Sequence, residues 1–416
     1  MAESSPKSGP SYSSLLKNRS FSFLWIGQLV SQSGDAVFDI ALLWLVWVTT
    51  QSTALVGLTQ AAVLVPAVLV SPFAGVYADR TNRRNLIVLS NVAQGIVTAG
   101  VSVLYVLSAL DFSVLIVLVL LLYSCAQFYR AASNAIVPSI VSRENIGAAN
   151  GLFSLTQSAN QLMGYTLGGV IIGVLGLAVP ITYDSLTFFA AAFLVLLIAK
   201  GHGQARPSGS PDGASSFTKD FREGLSYVRQ SRFFLELMFL GVVVNFFATA
   251  VFAILAPYSE VWVHGGSSTY GFLSAAFALG TIVGSVLIGK VNFRAYVGKL
   301  LFFGVIASGG ILILLGLIRS IPPALAAFSA VGVILAVVNV PLNTLFQTKV
   351  PKEMLGRAGT VLSASLTAAQ PIAAVLSGVL AGIYSIGAVI TVSGVAVMVA
   401  TAVLYFVFKE LRNVSY

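Results

Sequence analysis

Charge is scarce in this 416-residue chain: 9% of the residues are Asp, Glu, Lys or Arg, whereas 57% are hydrophobic. A soluble globular protein carries about 25% charged and roughly 45–50% apolar residues. Too few polar side chains remain to cover a water-facing surface, and a soluble enzyme is excluded on that ground. Cysteine is nearly absent. The single Cys125 excludes a disulfide framework, a thiolate metal cluster and a CxxC redox pair. His202 and His264 lie far apart in the sequence, which leaves no histidine metal site to assemble and no HExxH motif. A Walker-type phosphate loop is missing as well, so ATP is not the expected source of energy.

What the chain has instead is long apolar runs. A helix needs about 20 mostly apolar residues to cross a hydrocarbon core. Twelve runs qualify: 20–48, 54–76, 85–108, 112–137, 148–172, 181–199, 233–256, 269–289, 298–318, 324–346, 358–382 and 387–408. Continuous stretches such as Val114–Tyr123 are helical rather than the alternating segments of a membrane β-barrel. The expected fold is an all-α membrane protein with twelve transmembrane helices. The first twenty residues lack a compact apolar core with a cleavage site, and read as a tail on the cytoplasmic side.

With the N-terminus inside, all but two of the 23 Lys and Arg residues fall in cytoplasmic loops or tails; Arg319 faces the other side and Arg130 lies within a span. That asymmetry orients the chain with both termini in the cytoplasm of a cell membrane. It also explains the formal charge of +9. The basic residues are spread as topological anchors, with anionic lipid headgroups as their expected contacts. They form no clustered basic face, so a nucleic-acid partner is not expected.

Domain organisation follows from the spacing: a tail (1–19), six spans (20–200), a cytoplasmic linker (201–232), six more spans (233–408) and a short C-terminal tail (409–416). The linker begins as a Gly/Ser/Pro stretch. It ends with Phe221, Leu225 and Val228 at helical spacing among charges, the pattern of an amphipathic surface helix. The two halves repeat each other at a fixed offset of 209 residues. Residues 141–149 (VSRENIGAA) return as 350–358 (VPKEMLGRA), and the same register maps Asn134 onto Asn343, Gln161 onto Gln370 and Gly169 onto Gly378. Two six-span halves with the same in/out sense are parallel repeats, an arrangement of secondary transporters whose site lies between the halves at the membrane midplane.

Polar residues inside the spans mark candidate sites, because ionisable groups are costly in hydrocarbon. In the first span Gln28, Gln32, Asp35 and Asp39 fall within an arc of about 60° at helical periodicity. Asp35 lies on the order of 22 Å from the cytoplasmic start of that span, at or just beyond mid-depth. A carboxyl group there can exchange a proton, bind a cationic substrate, or simply bond a neighbouring helix. The fourth span places Tyr123, Gln127, Arg130 and Asn134 on one face, and Arg130 either binds an anionic group or snorkels to the interface. Gln157 and Gln161, Asn339 and Asn343, and Gln370 supply amides from spans 5, 10 and 11, either for the cavity or as helix–helix bonds. Asp184 and Glu236 stand near span ends and read as interfacial.

The loop after the second span is GVYADRTNRR, with Gly75, Asp79, Arg80, Arg83 and Arg84. Gly75 permits a close helix approach, and Asp79 can pair with a loop arginine or accept from a helix N-terminus. Such a cluster can latch one conformation; its arginines also serve as plain topological anchors. The sequence resembles the GxxxDRxxRR signature loop of the major facilitator superfamily. The second copy of that loop is represented here by Gly284 and Gly289-Lys290, with no acidic residue at the place of Asp79. The start FSFLWIGQLVSQSGDAVFDIALLWLV and the segment NAIVPSIVSRENIGAANGL resemble the macrolide-efflux and enterobactin-exporter branch, the third drug:proton antiporter family. One departure is Gly164-Tyr165, where exporters of that type often carry Gly-Pro.

The resemblance spans essentially the whole chain and implies a major facilitator fold without enzymatic activity. It implies export of amphipathic small molecules such as drugs, macrolides or siderophores by alternating access, with a proton gradient as the energy source and no cofactor. The halves, about 15–200 and 219–410, are expected to rock as rigid bodies in a monomer. Lysophospholipid transporters share a similar GD start and ANGL segment, so a lipid flippase of the same fold is the alternative.

Overall fold

Residues 12–199, 213–290 and 296–414 are described in a computed structural model of the chain, with backbone alone for 12–14 and 213–220. Most of the expected N-terminal tail and the Gly/Ser/Pro part of the linker, with His202, lie outside these residues. The described residues are helical nearly throughout. In hydrocarbon a backbone N–H or C=O finds no water, and a helix satisfies both within one segment.

In chain order the helices are α1 (Tyr12–Lys17), α2 (Arg19–Thr50), α3 (Thr53–Leu69), α4 (Ser71–Arg80), α5 (Arg83–Val106), α6 (Phe112–Ile140), α7 (Ile146–Leu175) and α8 (Ala178–Leu196). They continue with α9 (Gly213–Gln230), α10 (Arg232–Ala253), α11 (Ser267–Lys290), α12 (Val297–Leu317), α13 (Ile321–Lys349), α14 (Leu355–Ala368), α15 (Gln370–Ile383), α16 (Ile386–Val407) and α17 (Lys409–Arg412). Among the described residues ten helical segments are long and apolar enough to cross a bilayer, α14 and α15 counting together as one. The pair α3 and α4, bent by 46°, makes an eleventh. Pro66 within α3 and Pro72 at the start of α4 account for that break, since proline removes a helical donor and crowds the preceding turn. Helix α7 has the length, 30 residues, but is not among the ten. Gln157, Asn160 and Gln161 dilute its hydropathy, so among the described residues eleven of the twelve expected spans are both long and apolar enough by themselves. Pro371 stands just after the junction of α14 and α15, and beyond α10 a short turn, Leu255–Pro257, leads into a π-turn, Tyr258–Trp262.

The chain forms two compact units. The first takes the described residues within Met1–Phe38, Leu69–Gly164 and Pro180–Pro211; the second takes those within Asp39–Val68, Tyr165–Val179 and Asp212–Tyr416. The boundary therefore cuts α2 after Phe38 and α7 after Gly164.

An apolar core fills one end of the first unit, with Phe21, Leu24, Ile87, Ile136 and Ala149 fully buried. Asn18 fixes the entry to α2 twice. Its Nδ2 donates to the Ile140 carbonyl at 2.7 Å, while its Oδ1 accepts from the Ser20 backbone at 3.1 Å, a helix cap. In the second unit, small residues bring backbones together. A Cβ at Gly280 or Gly284 of α11 would overlap the carbonyl oxygens of Ser329 or Val333 on α13, and one at Gly332 that of Phe277. Glycine at a helix interface permits this approach. The amphipathic helix α9 packs on α14: Glu223 pairs with Arg357 at 2.6 Å, and a Cβ at Gly224 would lie 2.5 Å from the Arg357 carbonyl oxygen.

Candidate functional site

Within the first unit a cavity of about 610 Å³ is lined by α2, α6 and α7, with Gln94 from α5 and Phe188 from α8. That volume lies in the range of small-molecule sites, roughly 300–1,000 Å³. Six residues singled out from sequence meet here: Gln28, Gln32 and Asp35 from α2, Arg130 and Asn134 from α6, and Gln157 from α7. The three- and four-residue spacings put each set on one face of its helix. Two contacts hold α7 against α2. Asn160 Nδ2 donates to the Leu29 carbonyl at 3.0 Å, and the Trp25 indole donates to Thr156 Oγ1 at 2.9 Å. Gly164 lies directly against Ala36, where a Cβ would overlap that of the alanine.

The cavity is polar in a particular way. Tyr129 lies in the field of Asp35, and Ser31 of α2 and Ser133 of α6 line the same cavity beside it. The side-chain oxygens of Gln28 and Gln32 are buried and accept no hydrogen bond among the described residues. Arg130 makes neither a hydrogen bond nor an ion pair among the described residues. Sequence reasoning missed Ser31, Tyr129, Ser133, Asn150 and Ser154, all on the lining. Asn150 and Ser154 stand seven and three residues before Gln157, so helical periodicity alone would have found them.

The other five candidates are elsewhere. Asp39 is in the second unit, where it acts electrostatically on Tyr165 of α7 and Tyr270 of α11; Tyr270 in turn stacks on Trp44 at 6.4 Å. Gln370 donates to Asn245 Oδ1 at 3.2 Å, a helix–helix bond. Asn339 and Asn343 are exposed on α13, and Gln161 is exposed on α7 outside the cavity lining.

Two carboxyl groups read as interfacial are also buried by protein. Asp184 is 0% exposed and packs against Gly34, the residue beside Asp35. Glu236 is 2% exposed, pairs with Arg232 at 3.1 Å and accepts the Leu411 backbone N–H at 2.8 Å. The C-terminal segment covers what the span length alone places at an interface. In the loop, Asp79 pairs with a loop arginine, one of its two expected partners. Asp79 is 74% exposed and reaches Arg83 only at 3.8 Å, whereas Arg83 donates to the Ala135 carbonyl and buried Arg84 to the Leu196 carbonyl. The Leu196 carbonyl ends α8, where a helix leaves acceptors unsatisfied, whereas Ala135 stands five residues before the end of α6. A Cβ at Gly75 would meet nothing within 4 Å, so the expected close approach is not made there. Arg80 is exposed.

Residues 11–414 match the family described as transmembrane secretion effectors, a family of the major facilitator superfamily. The chain belongs to it. Macrolide efflux protein A of Streptococcus pyogenes is 23% identical over 408 residues, covering 95% of this chain and 97% of that protein. The enterobactin exporter EntS of Shigella boydii is 26% identical over 407 residues, covering 96% and 94%. Among solved structures, a bacterial homologue of the iron transporter ferroportin in an inward-facing state matches with a TM-score of 0.76 at 16% identity, covering 95% of this chain and all of that one. A bacterial homologue of the human lysosomal transporter Spinster, also inward-facing, gives 0.74 at 15% identity, over 97% and 98%. The chain is thus a multi-pass membrane transporter and not an enzyme.

For such a transporter, one further set of contacts in the second unit matters. Segments of α3 and α7 are fastened there to α15 and α11. Gly57 faces Gly378, with a Cβ on either meeting the other's Cα at about 3 Å, and Thr53 Oγ1 donates to the Gly378 carbonyl at 2.8 Å. Gly169 faces Gly271 in the same manner, and Ser268 Oγ donates to the Gly169 carbonyl at 3.4 Å. The Trp47 indole donates to Glu260. These contacts rest chiefly on backbone proximity, with two hydroxyl–carbonyl bonds and the indole–carboxylate bond beside them.

Proposed function

We propose that the protein exports amphipathic small molecules across a cell membrane in exchange for protons, by alternating access. The observation that carries this reading is the 610 Å³ cavity with Asp35 on its wall. A carboxyl group within the membrane can take a proton from one side and release it to the other when substrate binds. The efflux relatives named above support the direction and the amphipathic substrate class. Twelve spans in two parallel repeats, both termini in the cytoplasm and a monomer as the working unit complete the proposal. The proton gradient supplies the energy without a cofactor.

The glycine contacts of α3 with α15 and of α7 with α11 act as the reversible closure at the ends of these helices remote from the basic loops. Asp79 with Arg80, Arg83 and Arg84 forms the latch at the basic end, and anionic headgroups hold that end at the membrane surface. The test is accumulation of a macrolide and of a lipophilic cationic dye in cells expressing wild type or Asp35→Asn, with and without a protonophore. The proposal expects low accumulation that rises with either change. Equal accumulation in all four cases, with both proteins well expressed, contradicts it.

A further inference from the structure

The cavity carries opposite demands on its walls. On α2, the buried oxygens of Gln28 and Gln32 lack donors, and Asp35 adds a carboxylate to the same lining. On α6, Arg130 offers five N–H donors and a charge that no described residue takes up. Asn134, one turn from Arg130, and Asn150, Ser154 and Gln157 of α7 add neutral polar groups to the lining. Asp35 and Arg130 do not neutralise each other by an ion pair, although both line one cavity. Arginine at such a position suits a planar or multiply oxygenated anion.

We infer that the cavity selects amphiphiles whose polar head is dipolar, with a protonated amine directed to the α2 wall and a carboxylate or phosphate directed to Arg130. The inference rests on the proposal that this cavity receives the transported molecule, and it adds the charge pattern of that molecule. Coupling sign supports the orientation. Proton-driven export requires proton and substrate to compete, so the cationic end must sit where the proton sits, at Asp35. An anion alone would favour protonation of Asp35 and would couple uptake instead. A head with both charges satisfies Arg130 while it still displaces the proton.

The test is equilibrium binding to purified full-length protein in a nonionic detergent, read by fluorescence of three probes sharing one dansyl group. Nε-dansyl-lysine is zwitterionic, dansylcadaverine is cationic and 6-(dansylamino)hexanoate is anionic. Wild type should bind the zwitterion about tenfold more tightly than either singly charged probe, the size expected from one charge-assisted hydrogen bond. Arg130→Gln should remove that advantage over the cation, Arg130→Lys should keep most of it, and Asp35→Asn should remove the advantage over the anion. Thermal unfolding of each variant separates loss of binding from loss of fold, and the wild-type probe ranking decides the matter even if a variant does not fold. Displacement of the zwitterion by lysophosphatidylethanolamine assigns the head to a lipid; displacement only by Nε-dodecanoyl-lysine assigns it to a soluble amphiphile. Either keeps the inference. Equal affinity of wild type for zwitterion and cation overturns it. No proton gradient is present, so failure of proton-driven export in cells leaves this binding result standing and the two readings fall separately.

Discussion

In the first unit, α2, α6 and α7 surround a cavity whose walls carry amides, hydroxyls, Asp35 and Arg130. In the second, α11 and α13 touch backbone to backbone through Gly280, Gly284 and Gly332. The second unit also holds a cavity, of about 460 Å³, but Phe246, Phe247, Leu376, Leu380 and Val392 line it. The physics of the two differs. Helices in lipid gain little from burying apolar surface, so close van der Waals contact through small residues holds them together. A polar pocket cannot form where backbones meet, and it needs long side chains that keep helices apart. The first unit thus leaves room for a polar cavity, while α11 and α13 of the second pack backbone to backbone.

That contrast can be broken at single residues. Gly280→Val puts a branched side chain into the Ser329 carbonyl. It should lower stability by about 3 kcal/mol or more, by thermal unfolding of the purified protein, because neither backbone can retreat. Glu236→Gln weakens the pair with Arg232 and the bond from Leu411, and should cost about 1–3 kcal/mol. Arg84→Ala removes a buried donor from the Leu196 carbonyl, with an expected loss of about 1–2 kcal/mol by the same measurement. At the small end, Asp79→Asn should change stability by less than about 1 kcal/mol, since its pair with Arg83 is exposed and long. If the latch operates, that variant still alters thiol labelling from the two faces of the membrane; unchanged labelling removes the latch. Gly75→Ala should leave stability within about 0.5 kcal/mol, because nothing stands near the added methyl group. A large loss there would erase the contrast between the units.

Much of this was legible before any coordinates. The apolar runs locate the helices to within a few residues, since hydrocarbon thickness sets their length. The stripe Gln28, Gln32, Asp35 and the pair Arg130, Asn134 point into one cavity because helical periodicity fixes a face. Periodicity does not fix what lies opposite that face. Asp39 continues the stripe by one turn, yet it belongs with Tyr165 and Tyr270 beyond the cut in α2. The position of Asp184 and Glu236 along their spans says nothing of their burial by protein: packing against Gly34 buries one and the C-terminal segment covers the other. Asn339 and Gln370 look alike in sequence, but only the partner Asn245 makes Gln370 a helix–helix bond. The run 54–76 reads as one straight span, whereas Pro66 and Pro72 bend it by 46°, and α7 is less apolar than its neighbours because of the amides that bring it to the site.

In the proposed cycle Asp35 is the one carboxyl group of the polar cavity that links proton movement to export. The direct measurement uses proteoliposomes with an imposed pH gradient and a radiolabelled macrolide, comparing wild type with Asp35→Asn. The account expects wild type to concentrate the macrolide against its gradient and the variant only to equilibrate it, with both proteins unfolding at similar temperatures. Uphill accumulation by Asp35→Asn, or none by a folded wild type, would contradict the account.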